Sequence, residues 1–333
     1  MSTPTLLFPP RFAPGDTIAI AAPASPPEKP EIIDEAILRF TGLGFKVKTA
    51  EHLRKRDCYL AGSDVDRAAD INALFADPEV KAIFALRGGY GSCRILPLLD
   101  YEVIRAHPKP FIGYSDITAM HLAILAKSGL VTFHGSNASS AFTPGNIGAM
   151  GHMLVNSEGI DSAPGDDVPF SSSHRTAGSG RAAKGGLESL FSAAHDAKIK
   201  TIIPGQVKGR LLGGNMTCML RLLGTPYAPD FRGAILFLED TGEKAYRVDG
   251  MFTHLRLAGI LRQIGGLVLG QFDHADAVEE ERVALCLKRE AEAIGLPCIS
   301  GAPIGHFPEQ IVVPQGVQAE FDAGARTLAI RAF

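Results

Sequence analysis

The strongest constraint on how this 333-residue chain can fold is the exchange, through its first half, of short apolar runs with segments of helical period. Thr17 to Ala22 is an apolar run of strand length, closed by Pro23 and a proline-rich loop. Glu31 to Leu43 places Ile32, Ile33, Ala36, Ile37 and Phe40 on one helical face, and Gly42 and Gly44 end it. Phe45 to Lys48 alternates like a strand. Ser63 with Asp66 resembles a capping box, opening a helix that runs to Phe75. Val80 to Leu86 is the next strand, and it breaks into Arg87-Gly88-Gly89-Tyr90-Gly91. A short helix over Cys93 to Leu99, a strand ending at Gly113, a helix from Asp116 to Lys127 and a strand over Leu130 to Phe133 follow. Adjacent parallel strands with helical crossovers are the economical arrangement for such a pattern. Ligands then sit beyond the carboxyl ends of the strands, where both the 87–91 glycine loop and Ser115 fall.

The second half reads as a further α/β unit. Gly209 to Leu212 leads into Gly213-Gly214-Asn215, with a helix over Met216 to Leu223. Gly233 to Leu238 is an uninterrupted apolar strand running into Glu239-Asp240. Helices over Tyr246–Ala258 and Ala277–Ile294 enclose a strand at Gly266–Gly270, and Pro297–Ser300 is a strand leading to Gly305-His306. Gln318–Phe321 and Thr327–Ile330 form a terminal hairpin. Between the halves, about 157 to 186, the composition shifts to Ser, Gly, Ala, Pro and Asp with little periodicity. The expected division is an N-terminal domain over 1–150, a linker or mobile loop over 151–206 and a C-terminal domain over 207–333.

Bulk properties exclude several classes. A net charge of −3 gives no electrostatic footprint for nucleic acid or an anionic membrane. No run of about 18 apolar residues is present to span a bilayer. The five cysteines are odd in number and none forms a C-x-x-C pair, which argues against a disulfide framework and a compact zinc site. With no secretory pattern at the N-terminus, the expected setting is the cytoplasm.

The stretch with the clearest chemical grammar is Lys109-Pro110-Phe111-Ile112-Gly113-Tyr114-Ser115-Asp116-Ile117-Thr118. Strand, sharp turn and helix present a hydroxyl beside the N–H groups of a helix start, where it can attack a carbonyl. Ser and Asp before a helix also serve simply as caps. The pattern departs from a G-x-S-x-G elbow, because Ile117 occupies the place of the second glycine. A nucleophilic serine needs a base and an acid to orient it. Of ten histidines, His134 and His306 each follow a strand. Glu239 and Asp240 are carboxylates at the end of an apolar strand, with Glu243 a third candidate; solvated acids are the plainer alternative. Three glycines in the 88–91 loop suit close backbone approach or an anion nest, and the loop fits neither common nucleotide motif.

Ala85-Leu86-Arg87-Gly88-Gly89-Tyr90-Gly91, Ile112-Gly113-Tyr114-Ser115-Asp116, Gly213-Gly214-Asn215, Leu236-Phe237-Leu238-Glu239-Asp240 and Gly305-His306 together resemble the LD-carboxypeptidase (muramoyltetrapeptide carboxypeptidase) family. The resemblance implies an N-terminal mostly parallel sheet flanked by helices, a second C-terminal α/β domain, and an active site in the cleft between them. It implies Ser115 as nucleophile, Glu239 as acid and His306 as base, with oxyanion donors at Asp116 and the Gly88-Gly89 loop. It implies no metal or cofactor. The implied reaction removes terminal D-alanine from a murein tetrapeptide in cell-wall recycling, and a homodimer is a further expectation. Related proteins that confer microcin C immunity by hydrolysing an aminoacyl-nucleotide-like compound share the triad, so the triad does not choose the substrate. A non-catalytic small-ligand binder is the remaining alternative.

Overall fold

The computed structural model describes residues 4–155, 187–191 and 198–331; the composition shift at 157–186 therefore lies outside the described residues. The first half runs β1 (Thr17–Ala21), α1 (Glu31–Gly42), β2 (Lys46–Thr49), α2 (Asp64–Ala76), β3 (Val80–Ala85), α3 (Ser92–Ile95), α4 (Tyr101–Ala106), β4 (Phe111–Gly113), α5 (Thr118–Ser128), β5 (Phe133–His134) and α6 (Pro144–Leu154). The second runs β6 (Leu187–Ser189), β7 (Lys200–Ile203), β8 (Gln206–Asn215), α7 (Met216–Leu220), β9 (Ile235–Thr241), α8 (Ala245–Leu257), β10 (Gly266–Asp273), α9 (Ala277–Ile294), β11 (Cys298–Ser300), β12 (Val313–Pro314), β13 (Gln318–Asp322) and β14 (Thr327–Arg331).

These strands form two sheets, one in each half of an α/β molecule. The first has the order β12-β5-β4-β3-β1-β2. Its five N-terminal strands are parallel, and the antiparallel edge strand β12 comes back from the C-terminal half. The second has the order β6-β14-β13-β8-β9-β10-β11-β7, with β8 to β11 parallel. Within the 151–206 stretch, β6 pairs with β14 and β7 with β11, so its described strands belong to the second sheet.

Local chemistry accounts for the boundaries. The box at α2 is formed, with Asp66 N–H donating to Ser63 Oγ at 3.1 Å and Ser63 N–H to Asp66 Oδ2 at 3.4 Å. β9 continues through Glu239, Asp240 and Thr241, where the apolar pattern alone ends it at Leu238. Glu239 is paired in register with Asn215 of β8 and Asp240 with Phe272 of β10, and this ladder extends the strand. The strand expected at Leu130 to Phe133 is shifted to Phe133–His134, because Val131 N–H bonds the carbonyl of Leu7 at 2.9 Å instead.

Apolar burial joins the layers. Ile18, Ile20, Ile83 and Phe84 of the first sheet and Ile235 to Leu238 of the second are fully buried. The two halves also meet through polar bonds. Asn215 N–H donates to Thr118 Oγ1 at 2.9 Å, and Arg221 Nη1 donates to Asp116 Oδ1 at 3.1 Å.

Candidate active site

The strand order reverses direction between β1 and β3, and the loops that follow these strands flank the point at which such sheets bind ligands. The loops remain in contact: Tyr90 N–H donates to Ser25 Oγ at 3.1 Å, and Ser25 N–H to the carbonyl of Gly88 at 3.3 Å. The next strand, β4, delivers Ser115 beside them. A Cβ built on Gly88 would lie 2.8 Å from Ser115 Cβ and 3.0 Å from its Oγ, so only glycine lets this loop close on the serine.

Ser115 has φ of 66°. A non-glycine residue in the left-handed region costs on the order of 1 kcal/mol and persists where its neighbours over-determine it. Here Tyr114 N–H bonds Asn137 Oδ1 at 3.2 Å, and His121 Nε2 donates to the Gly113 carbonyl at 2.8 Å. Beyond the serine, buried Asp116 accepts from Ser92 N–H at 2.8 Å and pairs with Arg221 Nη1 at 3.1 Å. The turn closes without a second glycine. Ile117 is fully buried, and the 3₁₀ turn Ser115–Ile117 precedes α5, so the helix expected from Asp116 begins at Thr118.

Glu239 is fully buried in β9, and its Oε2 lies 2.7 Å from His306 Nδ1. Gly305 permits this approach, since a Cβ there would stand 3.1 Å from Glu239 Oε2. Burial raises the Glu239 carboxyl above the ordinary carboxylate range, against the pull of the His306 bond. For His306 burial disfavours the charged ring. The hydrogen bond and charge of Glu239, with Asp240 and Asp273 behind it, outweigh this and hold the imidazole above its usual value. A carboxylate on Nδ1 makes that nitrogen the donor and Nε2 the acceptor of the neutral ring. The His306 ring packs on Tyr114, the residue before Ser115, with centroids 4.8 Å apart.

The remaining candidates separate. His134 is fully buried against Phe237, neither ring nitrogen has a hydrogen-bond partner among the described residues, and burial holds it well below its usual pKa. Asp240 is committed to structure: it accepts from Asn215 Nδ2 at 3.1 Å and from Thr217 N–H and Oγ1 at 2.9 and 2.8 Å. Glu243 is half-buried and pairs with Arg247 at 3.1 Å. The cysteines are all free thiols. Burial pushes Cys93 up to about 11 and Cys298 up to about 12. Among the described residues no group of three or more His, Cys, Asp or Glu could hold a metal ion, and no helix is long and apolar enough to cross a membrane.

Sequence reasoning did not find Arg221, which binds Asp116 and also lies over the Tyr90 ring at 5.5 Å. Nothing local marks it, because its partner is 105 residues away. Nor did it find the stacking role of Tyr114. Gly213-Gly214-Asn215 is the end of β8, and its Asn215 caps α7: Asn215 Oδ1 accepts from Cys218 N–H at 3.1 Å.

Residues 18–135 match the family model described as the LD-carboxypeptidase N-terminal domain, and residues 208–321 match its C-terminal domain. A probable murein peptide carboxypeptidase of Bacillus subtilis is 35% identical over 328 residues, covering 96% of this chain and 92% of its own. The microcin C7 self-immunity protein MccF of Escherichia coli is 27% identical over 354 residues, covering 99% and 96%. The crystal structure of muramoyltetrapeptide carboxypeptidase from Oxalobacter formigenes aligns with a TM-score of 0.74 at 26% identity, over 95% of this chain and 99% of that one.

Proposed function

Since the chain belongs to the LD-carboxypeptidase family, we propose that it is a serine carboxypeptidase that releases terminal D-alanine from murein tetrapeptides during cytoplasmic cell-wall recycling. Ser115, His306 and Glu239 are its triad. The observation that carries this reading is the buried Glu239–His306 pair, which packs through Tyr114 beside a serine held at positive φ.

His306 Nε2 takes the proton of Ser115 Oγ as the oxygen attacks the carbonyl of the diamino acid's L-centre. Glu239 fixes the ring and balances the charge it gains. The N–H groups of Asp116 and the Gly88-Gly89 loop receive the oxyanion. His306 then protonates the departing D-alanine nitrogen, and water attacking the acyl-enzyme releases the tripeptide.

The likeness to MccF supports a second reading, in which the same triad hydrolyses an aminoacyl-nucleotide amide. The discriminating assay is D-alanine release from a purified murein tetrapeptide. The wild type is expected to release it, and Ser115→Ala to be slower by at least about a thousandfold. Equal release by both removes Ser115 from its role. No release by folded wild type transfers the chain to the aminoacyl-nucleotide reading.

A further inference from the structure

The loops that follow β1 and β3 meet on one buried side chain, Arg67 of α2, which the reaction described above does not use. Arg67 is 1% exposed. Its Nη1 donates to the carbonyl of Pro23, beyond β1, and to that of Gly91, beyond β3, the latter at 2.9 Å. Its Nη2 pairs with Asp64, whose carboxylate oxygens also accept from Arg94 Nε of α3 at 2.9 and 3.0 Å. Gly91 is fitted to this contact. Its φ is 114°, and a Cβ there would lie 2.5 Å from Leu60 Cδ2 and 3.1 Å from Arg67 Nη1.

Gly91 closes the loop that carries Gly88 and Gly89, and the next residue ties that loop to Asp116. Ser92 N–H donates to Asp116 Oδ2 at 2.8 Å, and Ser92 Oγ donates to the Asp116 carbonyl. The two proposed sources of oxyanion N–H groups are therefore joined through residues 91 and 92, and Arg67 holds that joint to the β1 loop. Burial opposes the charge of the guanidinium, and Asp64 supports it. A space-filling role alone would favour an apolar side chain, because sealing a cation from water is costly even when it is paired. An apolar side chain cannot hold the backbone carbonyls of two loops at one point.

We propose that Arg67 is a positioning residue for the oxyanion site: by holding the Gly91 and Pro23 carbonyls together, it sets the Gly88 and Gly89 N–H groups where negative charge develops in the transition state. The proposal rests on the carboxypeptidase reading. Arg67 is sealed from solvent and acts only through the backbone.

Arg67→Met fills the space and removes the donors. It is expected to lower kcat for D-alanine release by about tenfold to a hundredfold and to leave KM within about twofold. Two inhibitors separate this from a loss of folded protein. One is the product tripeptide with its terminal carboxyl replaced by an aldehyde, and the other is the matching alcohol. Ser115 Oγ bonds the aldehyde carbon, its proton passes to His306, and the carbonyl oxygen takes up the electron pair at the oxyanion site; the alcohol forms no adduct. Arg67→Met should weaken the aldehyde by the same factor as kcat, and the alcohol by no more than about twofold. Inhibition constants do not depend on how much of the enzyme is folded. If Arg67→Met does not fold, Asp64→Asn decides, since it removes the counter-charge at the half-buried end of the pair. Its aldehyde-to-alcohol ratio should shift in the same direction by about threefold or more. An unchanged ratio in the folded variant overturns the role of Arg67 and leaves the carboxypeptidase reading standing. No D-alanine release by folded wild type overturns both.

Discussion

In the proposed triad His306 must be neutral to accept a proton from Ser115, and Glu239 makes the neutral form harder to reach. The imidazole sits above its usual pKa, so the acid limb of the kcat/KM profile is expected above about pH 6.5, with activity rising as the ring deprotonates. In Glu239→Gln the raising charge is gone and the bond to the ring is weaker, while burial, which lowers the ring's pKa, remains. The limb should move to lower pH while the plateau falls by about 10²- to 10⁴-fold. D-alanine release measured from pH 5 to 10 checks both. A fall in rate with an unmoved limb would show that another group controls it. At this scale much of the candidate site was legible. The serine turn, the 88–91 loop, Glu239 and His306 each carry a local signature. The partnerships were not legible from local pattern, because Glu239 and His306 are 67 residues apart and nothing in the flanking residues separates His306 from His134. Burial makes the distinction: His134 lies sealed among apolar groups, and His306 reaches a carboxylate.

The start of α7 shows how one buried acid organises an element. Asp240 accepts from Thr217 N–H, Thr217 Oγ1 and Asn215 Nδ2, and Asn215 in turn caps the helix through Cys218 N–H. Asp240→Ala strands several of these donors at once. The variant is expected to lose about 2–4 kcal/mol, read as a lower midpoint in urea with an unchanged slope. A loss below about 0.5 kcal/mol would mean that water replaces the carboxylate easily. Elements with strong signals, such as α1, α2, α9 and the β13–β14 hairpin, were visible in the sequence to within a residue or two. Those that escaped have tertiary causes. The helix α6 carries Gly145, Gly148 and Gly151, whose low helix propensity hides it. It is held by Thr143, whose hydroxyl accepts from Asn146 N–H at 3.3 Å, and by Asn146 Nδ2 donating to the carbonyl of Pro308 at 3.0 Å. The strand β12 is two residues long and exists only as the partner of β5, so no window of sequence could reveal it.

For the molecule as a whole, two sealed histidines set the response to acid. His121 and His134 are fully buried and neutral, and burial lowers His121 to about 4. The unfolded chain binds a proton at each near pH 6.5, so their stabilising contribution is complete above that pH and is lost as pH falls towards the folded values. Between pH 7 and 5 His121 alone should cost about 2 kcal/mol. His306, Glu239, Asp70 and Asp273 act in the opposite sense, because their raised values favour the folded state as protons bind. The net slope therefore mixes both, and the informative quantity is a difference. His121→Gln keeps a donor for the Gly113 carbonyl but cannot titrate. Its urea-unfolding free energy should fall by about 2 kcal/mol less than that of the wild type between pH 7 and 5. Equal falls in the two proteins would mean that water reaches the ring and that α5 does not seal the back of the serine turn.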